Sequence, residues 1–311
     1  MSTAREIPAR AELSRSRKIL RRLGLTVAIA FAIWLGLGAW TAFELTRAVP
    51  SRVEPLAQIG ARPVENLEVR AADGVRSVAW FADAGTERCA VLLSGIRTNR
   101  RGALPRADFW LARGWSVLLP DLRGTGESDP RPISFGWNAR LDVEAWVAHL
   151  RARGVRTIAL HGQSLGAAAA VYAAADGTQV ELLVVDACYD NLRNALSHRL
   201  PWIPLPHVAF LSVRAFTELR VHASLDALQP VECVRRIRVP TFFAAGTQDQ
   251  KVGREASEAL LRASAAPHKT LHWLAGADHE ELWIRDPVGL ALALDAFLRD
   301  AGFGSTFADV R

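Results

Sequence analysis

From residue 89 onward, short apolar runs alternate with amphipathic stretches, and that alternation restricts the fold more than any other property of the chain. CAVLLSG at 89–95, WSVLLPD at 115–121, VRTIALH at 155–161, VELLVVDA at 180–187, VPTFFAAG at 239–246 and KTLHWL at 269–274 are nearly continuous in apolar residues. Strands of that kind have no wet face and belong inside a sheet covered on both sides. Helical stretches lie between them. ARLDVEAWVAHLRARG at 139–154 repeats its apolar residues Leu141, Val143, Trp146, Val147 and Leu150 on a roughly helical period and closes at a glycine. PRADFWLARG at 105–114, the alanine-rich 165–175, REASEALLRAS at 254–264 and GLALALDAFLRD at 289–300 fill the other intervals. Strands separated by helices give βαβ units, and their right-handed crossovers place helices on both faces of a mostly parallel sheet. An earlier pair, LEVRAADG at 67–74 and VRSVAWFAD at 75–83, predicts a hairpin turned at Asp73-Gly74. The fold class is therefore α/β.

Residues 188–238 break the rhythm. They are rich in Leu, Pro, Arg and aromatics, with Trp202, Ile203, Leu205, Phe210 and Leu211 near the centre. Following a strand's carboxyl end, they are expected to form a cap-like excursion of two or three short helices, because open sheets bind ligands at that edge. Its apolar residues suit an acyl or aromatic substrate, and they equally suit simple packing.

The amino terminus obeys different rules. Residues 23–43, LGLTVAIAFAIWLGLGAWTAF, contain no charge over 21 positions. As a helix that run reaches about 30 Å, the hydrocarbon thickness of a bilayer. Seven basic and two acidic residues precede it, which accounts for +5 of the formal net charge of +6; the remaining 31 basic and 30 acidic residues leave the body almost neutral. The charge pattern predicts a cytoplasmic tail over 1–22, a signal-anchor helix over 23–43 and export of the remainder of the chain. A cleaved signal peptide and a buried helix are the alternatives; the run is long for the first and lacks a polar stripe for the second. A proline-marked linker over 44–65 then leads to a domain over 66–311. A neutral body gives no footprint for nucleic acid. Cys89, Cys188 and Cys233 show neither a disulfide framework nor zinc-ligand spacing, so no metal or cofactor is expected.

Gly162-Gln163-Ser164-Leu165-Gly166 stands between a strand and an alanine-rich helix, the strand–turn–helix context of a GxSxG nucleophile. A serine there needs a base, and the base an orienting acid. With the order serine, acid, histidine, the candidates are Asp249 after the strand VPTFFAAG and His279 after KTLHWL. Asp186, at the end of the strand after Ser164, competes for the role of acid. His198, His207, His222, His268 and His272 also lie downstream, without the placement of His279. Asp278 is expected to shape the histidine's loop. The N–H groups of Leu165 and Ile96 are the candidate oxyanion donors. DLRGTGES at 121–128 lacks the lysine of a P-loop, so Asp121 and Arg123 are expected to brace neighbouring turns.

SGI at 94–96, DLRGTGES, HGQSLG at 161–166, GTQDQKV at 246–252 and GADHEEL at 276–282 occur in one order over residues 65–300. In this the chain resembles the α/β-hydrolases, and among them bacterial membrane-anchored or exported hydrolases of the prolyl-oligopeptidase-like and serine-aminopeptidase-like group. Many relatives have His-Gly where this chain has Ser94-Gly95. The resemblance implies an eight-stranded sheet and a serine hydrolase that cleaves a small-molecule ester through Ser164, His279 and Asp249. A peptidase, an acyltransferase and a non-catalytic binding module of the same fold are the alternatives.

Overall fold

The computed structural model describes residues 9–199, 206–280 and 282–304. In chain order the elements are α1 (Ala9–Thr46), β1 (Val49–Pro50), β2 (Gln58–Ile59), β3 (Arg62–Arg70), β4 (Arg76–Ala82), β5 (Arg88–Leu93), α2 (Leu104–Leu111), β6 (Ser116–Pro120) and β7 (Thr125–Gly126). They continue with α3 (Ala139–Ala152), β8 (Thr157–Gln163), α4 (Leu165–Ala175), β9 (Leu182–Asp186), α5 (Leu192–Arg199), α6 (Pro206–Val221) and α7 (Pro230–Cys233). The last are β10 (Thr241–Gly246), α8 (Arg254–Ala263), β11 (Lys269–Leu274), α9 (Leu282–Arg285) and α10 (Pro287–Asp300).

The sheet runs β2-β3-β4-β6-β5-β8-β9-β10-β11. Strands β6, β5, β8, β9, β10 and β11 are parallel, while β3–β4 and β4–β6 are antiparallel. This is the expected eight-stranded sheet with one addition, the two-residue β2 paired to β3 at the edge. Alternation along the central strands feeds two apolar layers. In β5, Val91 and Leu93 face the layer containing Val143, Trp146 and the alanines of α4, whereas Ala90 and Leu92 face the layer containing Trp110, Leu294 and Phe297. Both faces are therefore covered, which is why these strands read as unbroken apolar runs.

The loop after β6 is a brace. Asp121 Oδ1 accepts the Arg100 N–H at 2.6 Å, and Oδ2 accepts the Glu127 N–H at 2.8 Å and the Arg100 guanidinium. Arg123 clamps Asp142, with Nη2 at 2.7 Å from Oδ1, and Asp73, with Nη1 at 2.6 Å from Oδ2. Cys89, Cys188 and Cys233 are buried free thiols, and burial raises the pKa of each.

Among the described residues, Arg17–Thr46 is the helix long and apolar enough to cross a membrane, with mean hydropathy 1.9. At its end the Thr46 carbonyl accepts the Ile133 N–H at 2.8 Å, β1 pairs with β7, and Val53 and Ile59 are buried against the body. Between β9 and β10 the excursion forms α5, α6 and α7. Trp202, Ile203 and Leu205 lie outside the described residues, as do residues 1–8 of the basic tail.

Candidate active site

Ser164 separates β8 from α4 with φ 52° and ψ −112°, a left-handed conformation that a serine occupies only under constraint. The glycines on either side are forced by space. A Cβ on Gly162 would stand 2.3 Å from the Gly166 carbonyl oxygen, and one on Gly166 would stand 2.5 Å from that of Leu93. The Ser164 N–H donates to the Asp186 carbonyl at 2.8 Å, which ties the turn to the neighbouring strand. Leu165 opens α4, so its N–H lies in the first turn, where helical N–H groups have no intrahelical acceptor.

Asp249 and His279 come from the loops after β10 and β11. Those loops are joined by Thr247 N–H to the Leu274 carbonyl and Gln248 N–H to the Ala277 carbonyl, both at 3.0 Å. His279 Nδ1 stands 2.7 Å from Asp249 Oδ2, and His279 Nε2 stands 2.8 Å from Ser164 Oγ. The other carboxylate oxygen of Asp249 accepts the N–H groups of Lys251 at 2.9 Å and Val252 at 3.0 Å. Burial would raise the Asp249 pKa, but His279 and these two N–H groups outweigh it and hold the carboxyl below its ordinary range. Asp278 Oδ1 accepts the His279 N–H at 2.6 Å and so shapes the loop. The three side chains are 7% (Ser164), 7% (Asp249) and 2% (His279) exposed, so the array is shielded from solvent.

The cleft above the serine is lined by Ile96, Phe135, Leu165, Tyr189, Leu192 and Val252. Ile96 and Leu165 thus line the cleft beside Ser164, and α5 contributes apolar cover through Leu192 and Ala195. Among the other histidines, His268 stacks on Phe297 and His272 on Phe242, while His222 is exposed.

Asp186 is engaged elsewhere. Its Oδ2 accepts from His161 Nε2 and from Trp283 Nε1, each at 2.8 Å, on the side of the sheet packed by α2 and α10. His161 Nδ1 accepts the Trp110 indole N–H at 3.0 Å, which fixes the imidazole as the Nε2–H tautomer. The fully buried Arg106 donates to the carbonyls of His161 and Leu93 at 3.2 and 3.1 Å. Burial lowers its pKa to about 10, against the opposing charge of Asp186, so it remains a cation at neutral pH. Burial also lowers the pKa of His161, although the Asp186 carboxylate opposes the shift. Sequence reasoning did not find this second cluster. Arg106 and Trp110 share α2, but His161, Asp186 and Trp283 come from three other elements, and no local spacing joins them.

Residues 90–293 match the profile of the alpha/beta hydrolase family. The uncharacterized protein YqkD of Bacillus subtilis is 27% identical over 208 residues, covering 62% of this chain and 65% of that protein. An uncharacterized Mycobacterium tuberculosis protein is 26% identical over 239 residues, covering 76% of this chain and 79% of its own length. Among solved structures, an esterase of Pyrococcus furiosus superposes with a TM-score of 0.69 at 21% identity, covering 82% of this chain and 98% of that one.

Proposed function

The chain belongs to the alpha/beta hydrolase family, and from that premise we propose that it is a serine hydrolase that cleaves a carboxylic ester through an acyl-enzyme. The single observation that carries this reading is the unbroken path from Asp249 through His279 to the Ser164 hydroxyl, at 2.7 and 2.8 Å. Asp249 holds the imidazole as the Nδ1–H tautomer, which leaves Nε2 free to take the Ser164 proton. The serine oxygen then attacks the ester carbonyl, and the N–H groups of Leu165 and Ile96 receive the negative charge that develops on the carbonyl oxygen. His279 returns the proton to the leaving alcohol. Water activated by the same imidazole completes the cycle by hydrolysing the acyl-serine. The similarity in fold to the Pyrococcus furiosus esterase supports an ester as the bond cleaved.

In this reading α1 is a retained membrane anchor. The basic residues before residue 23 hold the first 22 residues in the cytoplasm, and the body lies on the opposite side. Labelling of membrane fractions with a fluorophosphonate probe tests the chemistry. Wild-type protein should label, and Ser164→Ala and His279→Ala should not. Retained labelling of Ser164→Ala would remove Ser164 as the nucleophile. Protease accessibility of the body in intact spheroplasts tests the topology.

A further inference from the structure

The uncharged run of α1 leaves no slack. Its 21 residues only just span the hydrocarbon, with Arg21 and Arg22 at one end and Glu44 and Arg47 at the other. Yet the second half of that run has a protein neighbour. Gly38 lies against α6 so closely that a Cβ there would stand 2.3 Å from Ser212 Oγ. Further along, Arg220 Nε donates to Thr46 Oγ1 at 2.8 Å, and its guanidinium lies over Phe43. Both pairs are offset by 174 residues, so α6 runs parallel to α1 in a fixed register. Pro206 is then level with Ala32, and Arg214 with Trp40.

The two helices agree on where the hydrocarbon ends. Residues 206–213 contain no Asp, Glu, Lys or Arg, a stretch of about 12 Å along the helix. Charge resumes at Arg214, level with Trp40, an indole suited to the membrane interface. About two turns beyond, Arg47, Arg131 and Arg220 line a cleft with Glu44 and Phe43, a net basic and aromatic set of the kind that meets lipid headgroups. On the outer face of α6, Leu211 (57% exposed) and Leu219 (68% exposed) form a stripe with the exposed Ala215 between them. Leu37 of α1 is exposed at the level of Leu211, and Trp40 at the level of Arg214. Sliding α1 until α6 stood in water would draw Arg21 and Arg22 into the hydrocarbon, which is costly. Leu45 of α1 and Phe210 of α6 pack on the apolar layer of the body that also contains Leu165, Tyr189 and Leu192, three of the residues around Ser164.

We propose that α6 is immersed beside α1 in the same leaflet, which opens the Ser164 cleft toward the bilayer and makes the substrate a long-chain acyl ester held in the membrane. This rests on the reading of α1 as a spanning helix and of Ser164 as the nucleophile. The bilayer is the occupant of the Leu211–Leu219 stripe because its level is set by the register with α1: Leu211 is level with Leu37 inside the uncharged run, and Leu219 is level with Leu45 in the headgroup region.

Two measurements on the full-length protein test the proposal. It is reconstituted in phosphatidylethanolamine–phosphatidylglycerol vesicles that contain nitroxide-labelled lipid. A fluorophore on Leu211→Cys should be quenched several-fold more than one on Glu144→Cys, an exposed site on α3. Equal quenching would overturn the immersion of α6. A disulfide between two Leu211→Cys copies without quenching would also overturn it and assign the stripe to a second copy. In the second measurement, Leu211→Glu/Leu219→Glu should lower the rate on vesicle-borne 4-methylumbelliferyl oleate, relative to the acetate ester in water, by tenfold or more. An unchanged ratio would overturn the lipid-side entrance. If wild type hydrolysed neither ester, the ester reading itself would fall, and the quenching would still decide where α6 lies.

Discussion

Two histidine–carboxylate pairs flank the Ser164 turn, and they differ in what surrounds them. His279–Asp249 and His161–Asp186 have nearly the same separation, 2.7 and 2.8 Å, and all four side chains are buried. Both carboxylates stand at or just past the carboxyl end of a parallel strand. The first pair leaves the far nitrogen of the imidazole on the serine hydroxyl. The second closes on itself: the Trp110 N–H occupies the far nitrogen, and the Trp283 N–H shares the carboxylate. A buried pair of this kind becomes chemistry only when one ring nitrogen is left for a reacting group. When both nitrogens are engaged, the same groups fasten elements together. Here Asp186 joins β8, which leads into Ser164, to α9, which lies just beyond the histidine's loop.

Neutralising each carboxylate in turn separates the two pairs most strongly. Asp249→Asn should lower kcat by about 10²–10⁴ in ester hydrolysis, because the imidazole loses its tautomer and its partner charge. Asp186→Asn should instead leave fluorophosphonate labelling of the folded protein at the wild-type rate. If Asp186→Asn lost labelling while remaining folded, the second pair would belong to the chemistry.

Next in size is the stability cost of that second substitution. It removes the carboxylate whose charge opposes the buried Arg106 cation, and it should destabilise the protein by about 3 kcal/mol in denaturant unfolding. Removing a single indole donor is milder. Trp110→Phe or Trp283→Phe should each cost about 1–2 kcal/mol, since each leaves one buried acceptor short of a bond. A cost in kcat for Trp283→Phe with stability unchanged would mean that Asp186 positions the histidine loop during the reaction.

The smallest effect is a slope against pH. Burial lowers the pKa of His161 in the folded protein, so the unfolded chain takes up the proton first as pH falls. Stability from His161 is therefore fully present above the ordinary histidine value near 6.5 and declines below it, by at most about 1.4 kcal/mol per pH unit. Denaturant midpoints between pH 5 and 8 should show this slope in wild type and lose part of it in His161→Gln. Asp249 acts in a lower window. Its depressed pKa contributes stability at neutral pH that persists until the pH falls below the ordinary carboxylate value of about 3.9. An identical slope in wild type and His161→Gln would show that the imidazole stays neutral in both states.

Much of the fold was legible because its signals are local. The predicted helix over 165–175 matches α4, and the runs at 239–246 and 269–274 contain β10 and β11 almost end to end. The hairpin at Asp73-Gly74 is β3 with β4, and Asp121 and Arg123 brace turns as the missing P-loop lysine implied. Strand edges and glycine stops are written in a few consecutive residues, so a linear reading can recover them. The two-residue β2 was not legible, because nothing in so short a stretch distinguishes pairing from coil. The choice between Asp249 and Asp186 was open for a related reason: both sit at strand ends, and chain order alone weighs one against the other.

Local sequence was enough to establish the βαβ order, the serine on its glycine-flanked turn, the approximate places of an acid and a histidine, and the level at which an apolar helix could cross a bilayer. Each of these rests on composition or spacing within one element. Chain closure was needed to settle which carboxylate meets which imidazole, that His161 is locked between Asp186 and Trp110, and that α6 lies in register beside α1. Those contacts join residues 25 to 178 positions apart, and no local pattern encodes which of two equivalent side chains will point to which face of the sheet. The pleat and the crossovers make that choice only when the chain has closed.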